Sequence, residues 1–459
     1  KINVFIAYYP HPKSCIYKLN SSNMEKKNIS YTVENDLCLG CGICQDACPL
    51  HAIEVKAIKG TFSPIVNEEI CANGKGCHRC FDICPGVGIN LKQIAKNNFN
   101  QDNINYDTYI GHYRSFYVGH STDKEIRYHC TSGGMTSQFI IYLLEKKIIE
   151  GAIVTKFNNK NPLMVNTFIA RNKEEVLSAK GSKYAPVTMA GIVDSIKNKD
   201  GKFVIVGLPC HIHGFRKLEL IDKKFKQKIF AYFGLYCSCG RTFYLTDYTL
   251  KNNCISRDQL TYFAYRDNGC MGNLHIQYVE KNSLSRIHNI SENKFVTSLQ
   301  IPYQKYYLTL RSFFNVHRCL YCIDHFAELS DISFGDIHFG KYIEDKLGIN
   351  SVVTRRNDLD NLLREAKDEG YITLDEVSKS NLLSSQKYAM VKKHTNPAII
   401  KIYRTLGFKT PQYNEIFKTV STAKAMKSLM IKKVQMFIGS HKSLWWLIKF
   451  GCKNMRNWK

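Results

Sequence analysis

The spacing of apolar residues divides the chain into unequal stretches. Lys1 to Lys27 show no period, and the chain opens without methionine, which reads as a processed end with Met24 as the natural start. The polar run from Lys96 to Asn105 reads as a linker. From Tyr113 onward short β-rich runs alternate with helical ones, the pattern of an α/β sheet. Met135 to Glu150 is predicted as a helix, opened by Cys130-Thr-Ser132-Gly133-Gly134 and followed by a strand from Gly151 to Thr155. Asn172 with Glu175 predicts a capping box for a short helix ending near Gly181. Lys202 to Val206 and Ile229 to Phe233 read as buried strands, each running into a cysteine-bearing loop at its carboxyl end, where open α/β sheets place ligands. Asp331 to Phe334 and Ser351 to Thr354 are further strands, and Asn357 to Glu369 is a helix with Asn357 as cap and Gly370 as stop.

Near the end, Ala423, Met426, Met430, Val434 and Phe437 recur at three- and four-residue steps, with Lys424, Lys427, Lys432 and Lys433 largely off that stripe. This predicts an amphipathic helix packed through the stripe. A second segment, Ser443 to Phe450, sets Trp445 and Trp446 among lysines, as interfacial helices do. Three readings stay open for this tail: a helix on the main body with a solvated basic face, an anionic membrane surface, or nucleic acid. No apolar run approaches the ~20 residues of a membrane span.

Composition sharpens this picture in two places. A chain of 459 residues with 44% hydrophobic and 12% aromatic content is globular and long enough for several domains. Its net charge of +25 suggests nucleic acid, but the distribution argues against that for most of the chain. Tyr31 to Leu91 hold four basic and seven acidic residues, whereas Val377 to Lys459 hold seventeen basic residues against Glu415 alone. The excess belongs to the tail.

Eighteen cysteines carry the chemistry. Cys38, Cys41, Cys44 and Cys48 form one run closed by Pro49; Cys71, Cys77, Cys80 and Cys84 form a second closed by Pro85. Thiolates two residues apart wrap one corner of an iron-sulfur cube, and the fourth cysteine before proline reaches across to the other cube. Cys38, Cys41, Cys44 and Cys84 are thus assigned to one 4Fe-4S cluster, and Cys71, Cys77, Cys80 and Cys48 to a second. Zinc takes thiolates in two pairs. A disulfide scaffold suits small secreted domains, and the opening residues carry no export signal, which points to the cytoplasm. The five-residue gap after Cys71 makes it the weakest ligand, although Ala72 to Gly76 is glycine-rich enough to bulge.

A second group of cysteines sits on three loops: Cys210, then Cys237 with Cys239, then Cys319 with Cys322. Spacing alone leaves open whether they meet, since free cysteines are commonly buried small hydrophobes. The motifs Ser132-Gly-Gly-Met-Thr136, Gly181-Ser-Lys183-Tyr184, Val206-Gly-Leu-Pro-Cys210, Gly234-Leu-Tyr-Cys237 and Cys319-x2-Cys322-x-Asp324-x3-Glu328-x2-Asp331-Ile-Ser-x-Gly335-Asp336 stand in an order that resembles the coenzyme F420 hydrogenase/dehydrogenase beta-subunit family, in the branch with a fused two-cluster ferredoxin domain. The resemblance covers about Ile29 to Ile372. It implies an iron-sulfur flavoprotein in which electrons pass between 4Fe-4S centres and FAD, and bacterial relatives are often encoded beside polysaccharide-assembly genes.

Carried onto this chain, the resemblance implies a third 4Fe-4S cluster on Cys210, Cys237, Cys319 and Cys322. It implies a flavin bound by Ser132, Gly133, Gly134, Thr136, Ser182, Lys183, Tyr184 and Pro209, with Lys183 and Asp324 as candidates for proton delivery. Backbone amides at a glycine-rich helix start suit a pyrophosphate. The chain departs from the family at Cys239, which competes with Cys237 as ligand, at Arg241-Thr-Phe, and at His338-Phe339. His211 and His213 read either as surface histidines or as donors to sulfur.

The expected architecture follows. Residues 1–28 are unassigned and 29–92 form an α+β ferredoxin-like domain with two 4Fe-4S clusters. A linker spans 93–110. An α/β flavin-binding domain spans 111–375, in parts of about 111–190 and 200–375, and a basic helical C-terminal extension spans 376–459. The expected function is electron passage between clusters and a flavin that reduces or oxidises a small organic substrate or deazaflavin, with polysaccharide biosynthesis as one setting. A ferredoxin-like protein or other donor or acceptor is the expected partner. The chain is expected in the cytoplasm, with peripheral contact at the inner face of the membrane through the tail, and without nucleic acid. The alternatives are an electron-transfer subunit without its own substrate and a membrane-tethered scaffold with structural clusters.

Overall fold

The computed structural model describes residues 27–99, 104–158, 163–280, 296–310 and 312–448. Met24, with the opening segment, and Lys449 and Phe450 of the last segment lie outside these residues.

Runs of apolar, β-branched residues bury on both sides and so form the middle of a sheet. Phe203–Gly207 and Ile229–Leu235 lie at the centre of an eight-stranded sheet. Its order is Asp375–Glu376, Ser115–Gly119, Asn350–Thr354, Ile332–Asp336, Ile229–Leu235, Phe203–Gly207, Gly151–Phe157, Val165–Ala170. The strands from Ile332–Asp336 to Gly151–Phe157 are parallel, and the rest add antiparallel at both edges. Every strand expected from the sequence is here, and the carboxyl ends of the parallel set lead into Cys210 and Cys237 and end at Asp336.

Helices cover both faces. Met135–Glu145 and Asn357–Asp368 pack Phe139, Leu143, Leu359 and Leu363 against Val204 and Phe233. The second of these helices starts from Arg356 as cap, so Asn357 stands inside its first turn, and Gly370 follows it as expected. Asn172 caps Lys173–Ser178 by accepting from the Glu175 N–H, but Glu175 reaches back to the Arg171 N–H at 2.7 Å, one residue before the cap. On the other face Pro209–Leu218 and Ile192–Lys197 pack Ile212, Phe215 and Val193 against Ile205 and Tyr232.

The ferredoxin module sits on that second face. Its hairpin pairs Ile53–Ile58 with Thr61–Val66, and its helix Ile43–Ala47 lies against Pro209–Leu218. Asp46 holds the contact, accepting from Gly191 N–H at 2.6 Å and Val193 N–H at 2.8 Å. The Met189 N–H donates to the Cys41 carbonyl at 2.8 Å. Gly42, at φ 82°, permits this approach, because a Cβ there would lie 2.1 Å from Thr188 Oγ1. The expected linker is shorter than read: Asn90 caps a helix over Leu91–Asn98, which pulls the first half of 93–110 into the core through Ile94 and Ala95.

The tail departs furthest from expectation. It is woven into the body: Gln412–Tyr413 pair in parallel with Gly88–Ile89 of the ferredoxin module, and Asn396–Thr405 is a largely buried helix. The helix Thr422–Ser440 forms as predicted but packs mainly through Ala425, Leu429 and Gly439, with Met426 from the expected stripe beside them. Met430, Val434 and Phe437 of that stripe face outward, at 55%, 60% and 39% exposure. Two apolar stripes compete on this helix, and the one with Ala425 and Gly439 allows the closer approach; a Cβ on Gly439 would sit 1.9 Å from the Phe313 carbonyl. The tryptophan pair splits, Trp445 buried with Nε1 donating to Gly439 O, Trp446 exposed.

Under the sheet, the Arg216 guanidinium, 6% exposed, bonds Glu219 at 3.1 Å, Asp331 at 2.9 Å and the Leu329 carbonyl at 3.0 Å. Arg216→Met leaves buried Glu219 without its cation and Asp331 with Arg356 alone, at 3.7 Å, and is expected to cost about 3–5 kcal/mol, read as a fall in the urea midpoint of the purified chain. A midpoint equal to wild type would show that this network does not hold the sheet.

Candidate functional site

The two local cysteine runs fold into two separate sets. Cys38, Cys41, Cys44 and Cys84 line one cavity; Cys48, Cys71, Cys77 and Cys80 line another. The fourth cysteines thus change sides, Cys84 lying with Cys38, Cys41 and Cys44, and Cys48 with Cys71, Cys77 and Cys80. Cys71 keeps its place because Ala72–Lys75 closes as one 3-10 turn, ending at Gly76 at φ 88°. Buried Asn73 ties that turn to the Cys77 carbonyl at 2.9 Å. No three His, Cys, Asp or Glu side chains among the described residues converge closely enough to hold a single metal ion. Thiols that surround a cavity instead of a point suit a multi-iron cube and not a zinc ion.

Burial first, then the mutual repulsion of neighbouring thiols, pushes these groups up: Cys38 to about 12, Cys80 to about 11, and Cys41 and Cys44 well above the ordinary thiol value. Iron replaces those protons, since only the thiolate ligates. Backbone N–H groups already point at sulfur: Gly40 at Cys38 (3.4 Å), Ala52 at Cys48 (3.3 Å) and Gly86 at Cys84 (3.3 Å). Such bonds favour the charged ligand.

The dispersed cysteines also meet. Cys210, at the start of Pro209–Leu218, feels the charges of Cys237, Cys319 and Cys322, and Cys41 of the first set feels Cys210. Cys239 joins them through a hydrogen bond with Cys319 that brings Cys239 down to about 7 and pushes Cys319 up. Five thiols therefore share this site. Cys237 is pinned at its backbone, its N–H donating to His325 O at 2.9 Å and its carbonyl meeting His325 Nδ1 at 3.1 Å. The Gly240 N–H points at Cys319 Sγ at 3.2 Å. From the tail, the Asn396 amide donates to the Cys322 carbonyl at 2.7 Å.

Around these sulfurs stand three cations, Arg241, Arg318 and Lys392, at 3%, 2% and 1% exposure. Arg241 donates to Asn315 Oδ1, Gly240 O and Tyr307 OH; Arg318 donates to Pro85 O, Gly86 O and Tyr413 OH. Among the described residues none of the three is ion-paired with a carboxylate. A buried positive charge without a counter-charge is costly. A cube held by four thiolates supplies negative charge where none is otherwise present, so the residues fit such a group. Arg318 bridges two sets, since its acceptors directly follow Cys84 and its neighbour is Cys319.

The loops assigned to a flavin come together beside this site. Ser182 N–H donates to Thr131 Oγ1 at 2.9 Å, joining the loop of Ser132, Gly133, Gly134 and Thr136 to that of Ser182, Lys183 and Tyr184. Ser132 Oγ bonds Asp336, which Arg266 holds at 2.9 Å, and Arg266 also donates to the Thr131 carbonyl at 3.1 Å. Tyr184 stacks on Tyr307 at 4.1 Å, and Tyr307 bonds Arg241, so aromatic rings connect the loops to the third cysteine site. Gly133, at φ 95°, lies where a Cβ would meet the Gly348 carbonyl at 2.8 Å. Pro209 is buried at the first turn of its helix.

The two proton-delivery candidates stand apart and are both engaged. The Lys183 ammonium donates to the carbonyls of Ala179, Lys180 and Gly181; burial brings it down to about 7 against the opposing pull of Cys130. Asp324, fully buried, accepts from the Glu328 N–H at 2.9 Å through the same oxygen that meets His213 Nε2 at 2.8 Å. Burial opposes the charge of Asp324, and the His213 bond outweighs it, holding the carboxyl below its ordinary value. His211 and His213 are buried, not surface groups, because Cys210 and His213 are three apart on a helix whose face is the core. His338 stays half-exposed beside Asp336.

The sequence reading missed Arg241, Arg266, Arg318, Lys392, Tyr307 and Asn396. Lysine and arginine look solvated in a basic chain, and tertiary packing reverses that, as at the turn Val391–Thr395, which buries Lys392 and Lys393.

Comparison with known proteins gives the same order of parts. Residues 37–89 match the 4Fe-4S dicluster domain. Residues 116–194 match the N-terminal domain, and residues 200–380 the C-terminal domain, of the coenzyme F420 hydrogenase/dehydrogenase beta subunit. The chain is 23% identical over 84% of its length to a coenzyme F420-dependent sulfite reductase of Methanocaldococcus jannaschii, covering 55% of that protein. It is 26% identical over 46% of its length to one of the subunits of the F(420)H(2) dehydrogenase of Methanosarcina mazei, again covering 55%. It thus spans about half the length of these two relatives. It is also 26% identical over 66% of its length to the beta subunit of a coenzyme F420 hydrogenase of Methanothermobacter thermautotrophicus, covering 99%. Among solved structures, a chain of the F420-reducing NiFe hydrogenase complex of Methanosarcina barkeri shares the fold, with a TM-score of 0.50 and 20% identity over 67% of this chain and 98% of that one.

The crossing of the fourth cysteines predicts a specific loss. Cys48→Ser is expected to remove the cube served by Cys71, Cys77 and Cys80, about four irons of the pair, while the signal of the other cube persists in Mössbauer and EPR spectra of anaerobically purified protein. Loss of the cube served by Cys38, Cys41 and Cys44 instead would reverse the assignment.

Proposed function

The chain belongs to the coenzyme F420 hydrogenase/dehydrogenase beta-subunit family, and from that premise we propose that it is an iron-sulfur flavoprotein oxidoreductase passing electrons between three 4Fe-4S centres and FAD. The observation that carries this reading is the meeting of Cys210, Cys237, Cys239, Cys319 and Cys322, close to Cys41, with three buried cations that have no carboxylate partner among the described residues. Cys210, Cys319 and Cys322, with Cys237 or Cys239, would hold the third cube. Ser132, Gly133, Gly134, Thr136, Ser182 and Tyr184, with Arg266 behind them, would hold the flavin. Cubes supply one-electron transfer and a flavin couples single electrons to two-electron chemistry.

The chain's own contribution is order and dryness. Met189 on Cys41 and Lys217 on Cys84 and Gly88 carbonyls fix the first set against the sheet, and the Tyr184, Tyr303 and Tyr307 stack keeps the space between loops and sulfurs apolar. A ferredoxin-like carrier would exchange electrons at the outer set, and a small organic compound or a deazaflavin such as coenzyme F420 would exchange them at the flavin. A setting in polysaccharide assembly rests on the resemblance alone.

A second reading, an electron-transfer subunit that serves a partner, is favoured by one observation: the Lys183 ammonium is committed to three carbonyls within the protein. Reduction of a carbonyl, an alkene or a deazaflavin by the purified chain without added protein would exclude it.

The tail supports peripheral contact with an anionic lipid surface. Among the described residues no helix is long and apolar enough to cross a membrane. Yet Met430, Ile431, Val434 and Phe437 face outward on a helix that also carries Lys424 and Lys427 and no acid. Apolar residues flanked by lysines are what an interfacial helix presents to anionic headgroups.

Two outcomes are expected. Anaerobic purification should give about twelve irons and one FAD per chain; about eight irons would remove the third cube, and absence of flavin would remove the oxidoreductase mechanism. The chain should co-sediment with phosphatidylglycerol vesicles and not with phosphatidylcholine ones, and Val434→Glu with Met430→Glu should abolish it; no pelleting of wild type would exclude the lipid surface.

A further inference from the structure

We propose that Lys392 is a positioning residue for the third cysteine site, a fixed buried charge that makes the cube held there easier to reduce. The proposal rests on the third cube of the reading above and adds a role for a segment beyond residue 380, where the family match ends.

The placement of Lys392 is specific. It lies on the turn Val391–Thr395, which continues directly into the helix Asn396–Thr405. Asn396 at that junction donates to the carbonyls of Cys322 at 2.7 Å and Cys319 at 3.5 Å, so the turn is fastened to the Cys319 and Cys322 loop. On the other side of Lys392, the next residue's ammonium, Lys393, pairs with Glu328 at 2.6 Å. The two adjacent lysines are both 1% exposed, yet only Lys393 has a carboxylate. The groups that act on Lys392 are the sulfurs of Cys322, Cys237 and Cys319 and the hydroxyl of Tyr388.

Arg241 and Arg318 differ in kind. Each spends its guanidinium on carbonyl, amide and hydroxyl oxygens that fix loops: Gly240 and Asn315 for one, Pro85 and Gly86 for the other. Among the described residues Lys392 fixes no such loop oxygen, so its charge is the property that matters at the site. Reduction of a cube adds one electron and no atom, making the thiolate-ligated group more negative by one charge. A cation held nearby in a dry interior stabilises the reduced form more than the oxidised one, because Coulomb attraction there is poorly screened. Net charge and its surroundings are among the factors that set such potentials. At the second cavity the lining cation among the described residues is Arg79, which has Asp222 at 3.8 Å, and beside the first set Lys217 donates to the Cys84 and Gly88 carbonyls.

The test uses full-length protein purified without oxygen, with iron quantified and each cube followed by EPR during a potentiometric titration. Lys392→Met keeps the length of the side chain and removes the charge. It is expected to retain wild-type iron and to shift one potential to more negative values, with the two ferredoxin-type potentials unmoved. Lys392→Arg is expected to return it towards wild type. A Lys392→Met protein with full iron and three unchanged potentials would overturn the role. If Lys392→Met loses the third cube, recovery of iron by Lys392→Arg supports the charge, and failure of both variants overturns it in favour of shape. Wild-type protein with about eight irons would instead overturn the third cube, and this role with it.

Discussion

Charge neutrality in a dry interior is the constraint on which the centre of this molecule depends. Arg241, Arg318 and Lys392 are buried together, and among the described residues no carboxylate pairs with them. Elsewhere the chain obeys the ordinary rule: Arg216 has Glu219 and Asp331, Arg266 has Asp336, and Lys393 has Glu328. The exception coincides with five cysteines. Neutral thiols do not balance three cations, whereas the thiolate-ligated cube proposed above would supply negative charge beside them. The cations and the sulfurs therefore make physical sense only as one unit.

The sheet brings that unit into being. Parallel strands with buried faces end on one edge, and the loops after Gly207 and Leu235 deliver Cys210 and Cys237 there. The helix that starts at Pro209 then runs under the ferredoxin module, so one element touches both the third site and the first set: Cys210 lies in its first turn and Lys217 in its last, on the Cys84 carbonyl. Asp46 and Gly42 hold the module against the sheet from the other side. Spacing between redox centres is set here by helix geometry and not by flexible linkers.

What was legible in the sequence was local. Cysteines two residues apart announce a cube because the ligands are neighbours in the chain, and buried strands announce themselves by unbroken apolar runs such as Phe203 to Val206. What was not legible required knowing which surfaces meet. Helix Thr422–Ser440 has two apolar stripes, and only the approach at Gly439 decides between them. Lys392 reads as one more base in a tail of seventeen until the following Asn396 fastens it to Cys319 and Cys322. His213 reads as a surface group until the helix carrying it is seen to bury the face that also holds Cys210. In each case the missing information was tertiary, and the local pattern was compatible with either outcome.

The strand pairing of Gln412–Tyr413 with Gly88–Ile89 has a meaning for biogenesis. All eight thiols of the first two sets emerge from the ribosome within the first 84 residues, so iron can be delivered there while most of the chain is still unmade. The third site is different: its last thiol is Cys322, and the residues that close over it, Lys392 and Asn396, come later still. Docking of residues 412–413 onto the ferredoxin module then joins a late segment to an early one. Any metal held at the inner set would therefore be enclosed only after the residues of the outer sets are in place.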